Sequence, residues 1–215
     1  MKKLLAGFLA AVCLSPIYSV HAQQGDVKAG SQKNAQCVGC HGIKGYHTGF
    51  PEVYRVPMLS GQSAGYIVSA LNDYKSGARK HPSMSTMALS LTAQDMADLG
   101  AFYESTALAA ETSGHPIDAS AGAALVEKGG CIACHGQGLS KPIAPTYPKI
   151  AGQHADYVYA ALRAYKTENK PQIGRNNPIM GGVVKQFSDK ELKEIARYVE
   201  SLPTTLQTIQ PNRFR

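Results

Sequence analysis

Cys37-Val38-Gly39-Cys40-His41 recurs 94 residues later as Cys131-Ile132-Ala133-Cys134-His135, and the reading of the chain turns on this pair. The matches continue outward in the same order. Upstream, Asp26 and Gly30 return as Asp118 and Gly122. Downstream, Pro57, Gly61 and Gln62 return as Pro148, Gly152 and Gln153, and Arg79-x-x-Pro82-x-Met84 returns as Arg175-x-x-Pro178-x-Met180. All offsets lie between 91 and 96, so matched elements are separated only by short insertions and the chain is a duplicated domain.

The segments between these marks have helical spacing. Met96, Leu99, Gly100 and Tyr103 fall at i, i+3, i+4 and i+7, as do Leu192, Ile195, Ala196 and Val199. Thr92 with Asp95, and Ser188 with Glu191, form capping boxes at the start of each run. Tyr66 to Tyr74 and Tyr157 to Tyr165 are a second matched pair of helices, the first closed by Gly77. No sustained period-2 alternation flanks hairpin turns. The expectation is an all-α protein, each half about four short helices joined by long Gly- and Pro-rich connections that could wrap a cofactor. Gly30 and Gly122 are expected to let terminal helices cross closely, opposite Phe102 and Tyr198.

With 215 residues, the chain has room for two small domains. Its 44% hydrophobic and 17% charged residues exclude both a disordered chain and a many-span membrane protein. Residues 1–22 read as an export signal: Lys2 and Lys3, an apolar run from Leu4 to Leu14, then Val20-His21-Ala22 as a cleavage site. About eleven apolar residues cannot cross a ~30 Å hydrocarbon core. Val12 fits poorly before Cys13 for a lipoprotein signal. The mature chain is expected to begin at Gln23 in the periplasm. Cleavage takes Lys2 and Lys3 from 22 basic residues against 15 acidic ones and leaves +5, scattered without a basic run, which argues against nucleic acid as a partner. The organisation reads as signal 1–22, first domain 23–104, linker 105–117, second domain 118–205 and a tail 206–215.

Loss of the signal removes Cys13 and leaves four cysteines, all within the two pentads. Cys-x-x-Cys-His is the attachment motif of c-type haem. Two thiols three residues apart on a helical turn reach the two vinyl groups of one porphyrin edge, and the following histidine lies under the iron. Three alternatives compete. Structural zinc pairs usually stand about 15–20 residues apart, a thioredoxin-like pair needs a βαβ setting, and plain disulfides leave the repeated histidine unexplained. Two covalently bound haems are expected, on Cys37 and Cys40, and on Cys131 and Cys134, with His41 and His135 as proximal ligands. Buried porphyrins would supplement the small cores of ~80-residue halves, and four propionates would offset most of the +5 charge.

The sixth iron position separates electron transfer from catalysis. Met58, Met84, Met87, Met96, His47 and His81 are candidates in the first half. Only Met84 finds a methionine in register, Met180; the others pair with Lys149, Val183, Leu192 and Asn177, or with nothing. Met84 and Met180 are therefore the expected distal ligands, with Met87 the nearby alternative and Met96 a core residue. His47, His81, His115 and His154 read as solvated or supporting residues.

The tandem pentads, the Arg-x-x-Pro-x-Met segments, and the Gly-Gln-x-x-x-Tyr starts at Gly61 and Gly152 together resemble the dihaem cytochrome c4 family over roughly residues 25–203. The resemblance implies two class I cytochrome c domains related by a pseudo-twofold axis, and a periplasmic electron carrier often loosely held to the inner membrane. It implies the same ligand set. Pro57 and Pro148 read either as loop punctuation or, as in class I cytochromes, as residues whose carbonyl takes the proximal histidine N–H. Partners would be redox proteins: a membrane oxidase, a quinol-oxidising complex or a dehydrogenase. The leading function is electron carriage toward a terminal oxidase. The rivals are an electron-accepting subunit of a dehydrogenase and a dihaem peroxidase, which the symmetric Met pair opposes. Two departures from the pattern stand out: the long 42–56 segment, with His47, Phe50 and Tyr54, and the tail after Pro203.

Overall fold

The computed structural model describes residues 24–108, 120–168 and 170–208. The stretch read as an export signal, most of the expected linker and the end of the tail lie outside these residues. The first half runs α1 (Val27–Lys33), α2 (Ala35–His41), β1 (His47–Thr48), β2 (Tyr54–Arg55), α3 (Ala64–Ser76), β3 (Arg79–Lys80), α4 (Pro82–Leu89) and α5 (Ala93–Ser105). The second half follows with α6 (Ser120–Lys128), α7 (Ile132–His135), a 3-10 turn (Gln137–Leu139), α8 (Ala155–Ala164), β4 (Gly174–Arg175), α9 (Pro178–Lys185) and α10 (Asp189–Ser201).

Both capping boxes are present, Thr92 with Asp95 on α5 and Ser188 with Glu191 on α10. Their apolar faces form the two cores. Met96 and Leu99 join Ile67, Leu91, Phe102 and Tyr103 in the first, and Leu192, Ile195 and Val199 join Val126, Val158, Val184 and Phe187 in the second. The first and last helices of each half cross at a glycine. A Cβ on Gly30 would stand 2.0 Å from the Asp98 carbonyl oxygen and 2.7 Å from Phe102 Cβ. On Gly122 it would stand 2.5 Å from both the Glu194 oxygen and Tyr198 Cβ. Only a residue without a side chain permits either approach.

Two features differ from the sequence expectation. Among the described residues each half has five helices rather than about four, because the Arg-x-x-Pro-x-Met segment is not simply a loop. Pro82 and Pro178 occupy first-turn positions, where their missing N–H costs nothing, and His81 and Asn177 cap α4 and α9 by accepting from the N–H groups of Met84 and Met180. Strand pairing, absent from the expectation, occurs in two-residue pieces: β1 with β2, and β3 with β4. Such short strands leave no period-2 signal, and the fold remains all-α.

The β3–β4 pairing joins the two halves and sets Arg79 opposite Arg175. The segments without repeat partners fasten the same seam. From the β1–β2 hairpin, Arg55 donates to Asp156 at 3.0 Å and reaches Glu200 at 2.7 Å, while Glu52 meets Arg163 at 3.1 Å. In return, the chain after Pro203 buries Leu206 and exchanges two backbone hydrogen bonds between Gln207 and Ser60, at 3.0 and 3.2 Å.

Candidate haem sites

Each half holds a cavity, of about 400 Å³ in the first and about 190 Å³ in the second. Cys40, His41, Pro57 and Met84 line the first, and Cys131, Cys134, His135, Pro148 and Met180 the second. Cys37 does not line the first cavity but packs against the core, where burial pushes its thiol up to about 11. Met87 is 43% exposed and lines neither cavity, whereas Met96 is fully buried in the core. His47 is half exposed near Asp156, His154 is close to Glu200, and His81 is the α4 cap; His115 lies outside the described residues.

The histidines are oriented by backbone carbonyls. His41 Nδ1 lies 2.9 Å from the Pro57 carbonyl oxygen, and His135 Nδ1 lies 2.9 Å from that of Pro148. A carbonyl can only accept, so each Nδ1 carries the proton and each Nε2 keeps its lone pair. Burial lowers both imidazole pKa values, with the carbonyl contact pulling weakly the other way, so both rings are neutral at physiological pH. Of the two readings of Pro57 and Pro148, the carbonyl acceptor is the one with a geometric basis here.

Sequence reasoning used Arg79 and Arg175 only as register marks. In the structure they are paired cations at the seam, Arg79 lining both cavities and Arg175 the second. Arg79 donates to Tyr66 at 2.9 Å, and Arg175 donates to Tyr157 at 3.1 Å and Tyr165 at 3.4 Å. Arg79 also stacks 5.0 Å from the Tyr74 ring centroid and Arg175 5.4 Å from that of Tyr165. Among the described residues neither guanidinium has a carboxylate partner. Burial works against ionisation of the Tyr157 hydroxyl, yet Arg175 and Arg79 outweigh it and bring it down to about 8. The signal was present in the sequence as matched Tyr and Arg positions, but their meeting across a gap of about ninety residues was not.

This donor set fits one c-type haem per half: thiols at one edge, a neutral imidazole with a free Nε2, a thioether in the same cavity, and buried cations able to face acidic groups. The other readings lack geometry. All four described cysteines are free thiols, and among the described residues no three His, Cys, Asp or Glu side chains gather as a metal site.

Comparison with known proteins agrees with the geometry. The cytochrome c family profile matches residues 27–107 and again 119–203. Cytochrome c4 of Thiocapsa roseopersicina is 33% identical, over 84% of this chain and 94% of that protein. The thiosulfate dehydrogenase electron acceptor of Stutzerimonas stutzeri (strain A1501) is 29% identical, over 90% of this chain and 92% of its own. The crystal structure of reduced recombinant cytochrome c4 from Pseudomonas stutzeri superposes with a TM-score of 0.65 at 30% identity, covering 83% of this chain and 99% of that one. The chain belongs to the cytochrome c family, in its cytochrome c4 branch, as an electron-transfer protein with two covalent c-type haems rather than an enzyme.

Proposed function

We propose that this protein is a periplasmic shuttle that takes electrons from a respiratory donor and delivers them toward a terminal oxidase. Cys37 and Cys40 hold one haem and Cys131 and Cys134 the other; His41 and His135 are proximal, and Met84 and Met180 distal. A haem bound there would supply one-electron redox chemistry, and thioether ligation by Met84 and Met180 would favour the ferrous form and raise the potential. The observation that carries this reading is the repetition of His and Met in both cavities, which leaves no sixth position for a substrate. Pro57 and Pro148 aim the histidines and hold the proton on Nδ1, while burial keeps the rings neutral. His81 and Asn177 fix the helix starts that present the methionines. Arg79 and Arg175 are placed to hold acidic groups of both porphyrins at the seam. Among the described residues no helix is long and apolar enough to cross a membrane. The leader read at residues 1–22 supports export, and domains at 23–104 and 118–205 follow the repeat.

A second reading has a specific observation behind it: a relative of nearly equal length is a thiosulfate dehydrogenase electron acceptor. In that case the same haems would serve a dehydrogenase rather than a free-diffusing route. Exposure of the reduced holoprotein to carbon monoxide and to peroxide tests the closed sites. No stoichiometric carbon monoxide binding and no peroxide turnover are expected; rapid binding would overturn the ligand assignment. Rates of reduction by a thiosulfate dehydrogenase, against rates of oxidation by oxidase-containing membranes, separate the two partners.

A further inference from the structure

The glutamines of the repeated Gly-Gln pairs do not serve their own halves. Gln153, 5% exposed, accepts from Met58 N–H through Oε1 and donates to the Met58 carbonyl through Nε2, both at 3.0 Å. Gln62, 3% exposed, does the same to Lys149, both at 2.9 Å. The amide orientations are unambiguous, because a backbone N–H only donates and a carbonyl only accepts. The N–H groups of Ser63 and His154 donate to the same two Oε1 atoms and hold each amide in place.

The gripped residue is what matters. Met58 N–H and the Pro57 carbonyl belong to one peptide unit, as do Lys149 N–H and the Pro148 carbonyl. A continuous chain therefore runs from His41 Nδ1–H to the Pro57 oxygen, through the peptide, and out by Met58 N–H to Gln153 of the other half. Its twin runs from His135 through Pro148 and Lys149 to Gln62. Hydrogen bonds in series polarise one another, and the effect is largest where water is excluded. An acceptor on the N–H side makes the carbonyl more basic, which draws the Nδ1 proton further and makes the imidazole a stronger donor at Nε2.

We propose that Gln153 and Gln62 are crossed positioning residues, each setting the basicity of the proximal histidine in the opposite half. Docking of the halves is then part of the redox tuning of both haems. The proposal rests on His41 and His135 as axial ligands.

The test uses holoprotein labelled with ¹⁵N-histidine, following the two Nδ1–H resonances and the midpoint of each haem by NMR redox titration. In Gln153→Met, the His41 N–H should move upfield as its bond weakens while the His135 N–H stays. The oxidised-to-reduced ratio of the first haem at fixed potential should shift about two- to tenfold toward reduced, the size expected if one neighbour in a dry chain strengthens a bond by roughly 10–30%. Gln62→Met should do the same to the His135 resonance and the second haem, leaving the first unmoved. Gln153→Glu keeps an acceptor at the same place and should move the His41 resonance the other way, which also preserves the test if Gln153→Met does not fold. Unmoved resonances, or a Gln153→Met effect as large on His135 as on His41, would overturn the relay. Histidine resonances without an iron-dependent shift between oxidation states would instead refute the axial assignment, whatever the glutamines do.

Discussion

Gly30→Ala is the sharpest structural perturbation available in the first half. The new methyl would lie 2.7 Å from Phe102 Cβ and 2.0 Å from the Asp98 carbonyl oxygen on α5. Carbon atoms rest about 3.5–4.0 Å apart, so α1 must withdraw by roughly 1 Å. Overpacking of this kind costs about 1–3 kcal/mol. The withdrawal has a second cost. The Asp98 side chain is 2% exposed and is held by Asp26 N–H at 2.8 Å and Lys33 Nζ at 2.6 Å, both carried by the α1 segment. Loosening a buried acceptor from its partners adds about 1–3 kcal/mol. The expected loss is therefore about 2–6 kcal/mol, a large share of a typical 5–15 kcal/mol stability. Gly182→Ala on α9 is the matched control, because a Cβ there meets nothing within 4 Å. It should gain up to about 1 kcal/mol from helix propensity. Urea unfolding of the holoproteins, followed by far-ultraviolet circular dichroism, measures both. A Gly30→Ala variant within about 0.5 kcal/mol of wild type, or one less damaged than Gly182→Ala, would refute the reasoning.

Met84→Ala should remove about half of the ferric thioether–iron charge-transfer absorption and lower the first haem's potential, while Met87→Ala, at an exposed position outside the cavity, should leave both unchanged; the opposite pattern would transfer the distal role to Met87. Stability should fall in acid. The backbone N–H of Asp26, then Lys33, hold Asp98 below its ordinary pKa, and Arg55 does the same for Asp156 against the opposing effect of burial. Folded values below unfolded ones mean that this stabilisation is complete above the usual carboxylate range near 4 and is lost as pH falls through the depressed values. Urea midpoints measured from about pH 6 down to about pH 3 should therefore decline, and a rising midpoint would contradict the assignment.

What the sequence disclosed was what is local or repeated. Cap boxes, apolar stripes and the glycine crossings rest on spacings within one helix or on comparison of the two halves, and the family follows from short motifs in tandem: the pentads, the Arg-x-x-Pro-x-Met segments and the Gly-Gln-x-x-x-Tyr starts. What it did not disclose depends on contacts of high sequence separation. Asn177 and His81 were already aligned as counterparts, yet a ligand-seeking comparison discards them, since capping needs only an acceptor oxygen or nitrogen and not the same residue type. Arg79 and Arg175 were aligned too. Their pairing is invisible to any periodicity because it takes two two-residue strands from different halves.

The unmatched segments follow from the same geometry. Two duplicated halves facing each other make reciprocal contacts, as in the Gln62–Lys149 and Gln153–Met58 grips. They are hydrogen bonds, individually worth about 1 kcal/mol net, and a seam carrying two facing arginines works against them. The hairpin around Arg55 and the return of Leu206 and Gln207 to Ser60 lie where the repeat has no counterpart, and each ties one half to the other in one direction only. If docking sets the proximal histidines, then these asymmetric straps belong to the electron-transfer apparatus, and the hairpin does so twice over, since Thr48, Phe50 and Tyr54 also line the first cavity.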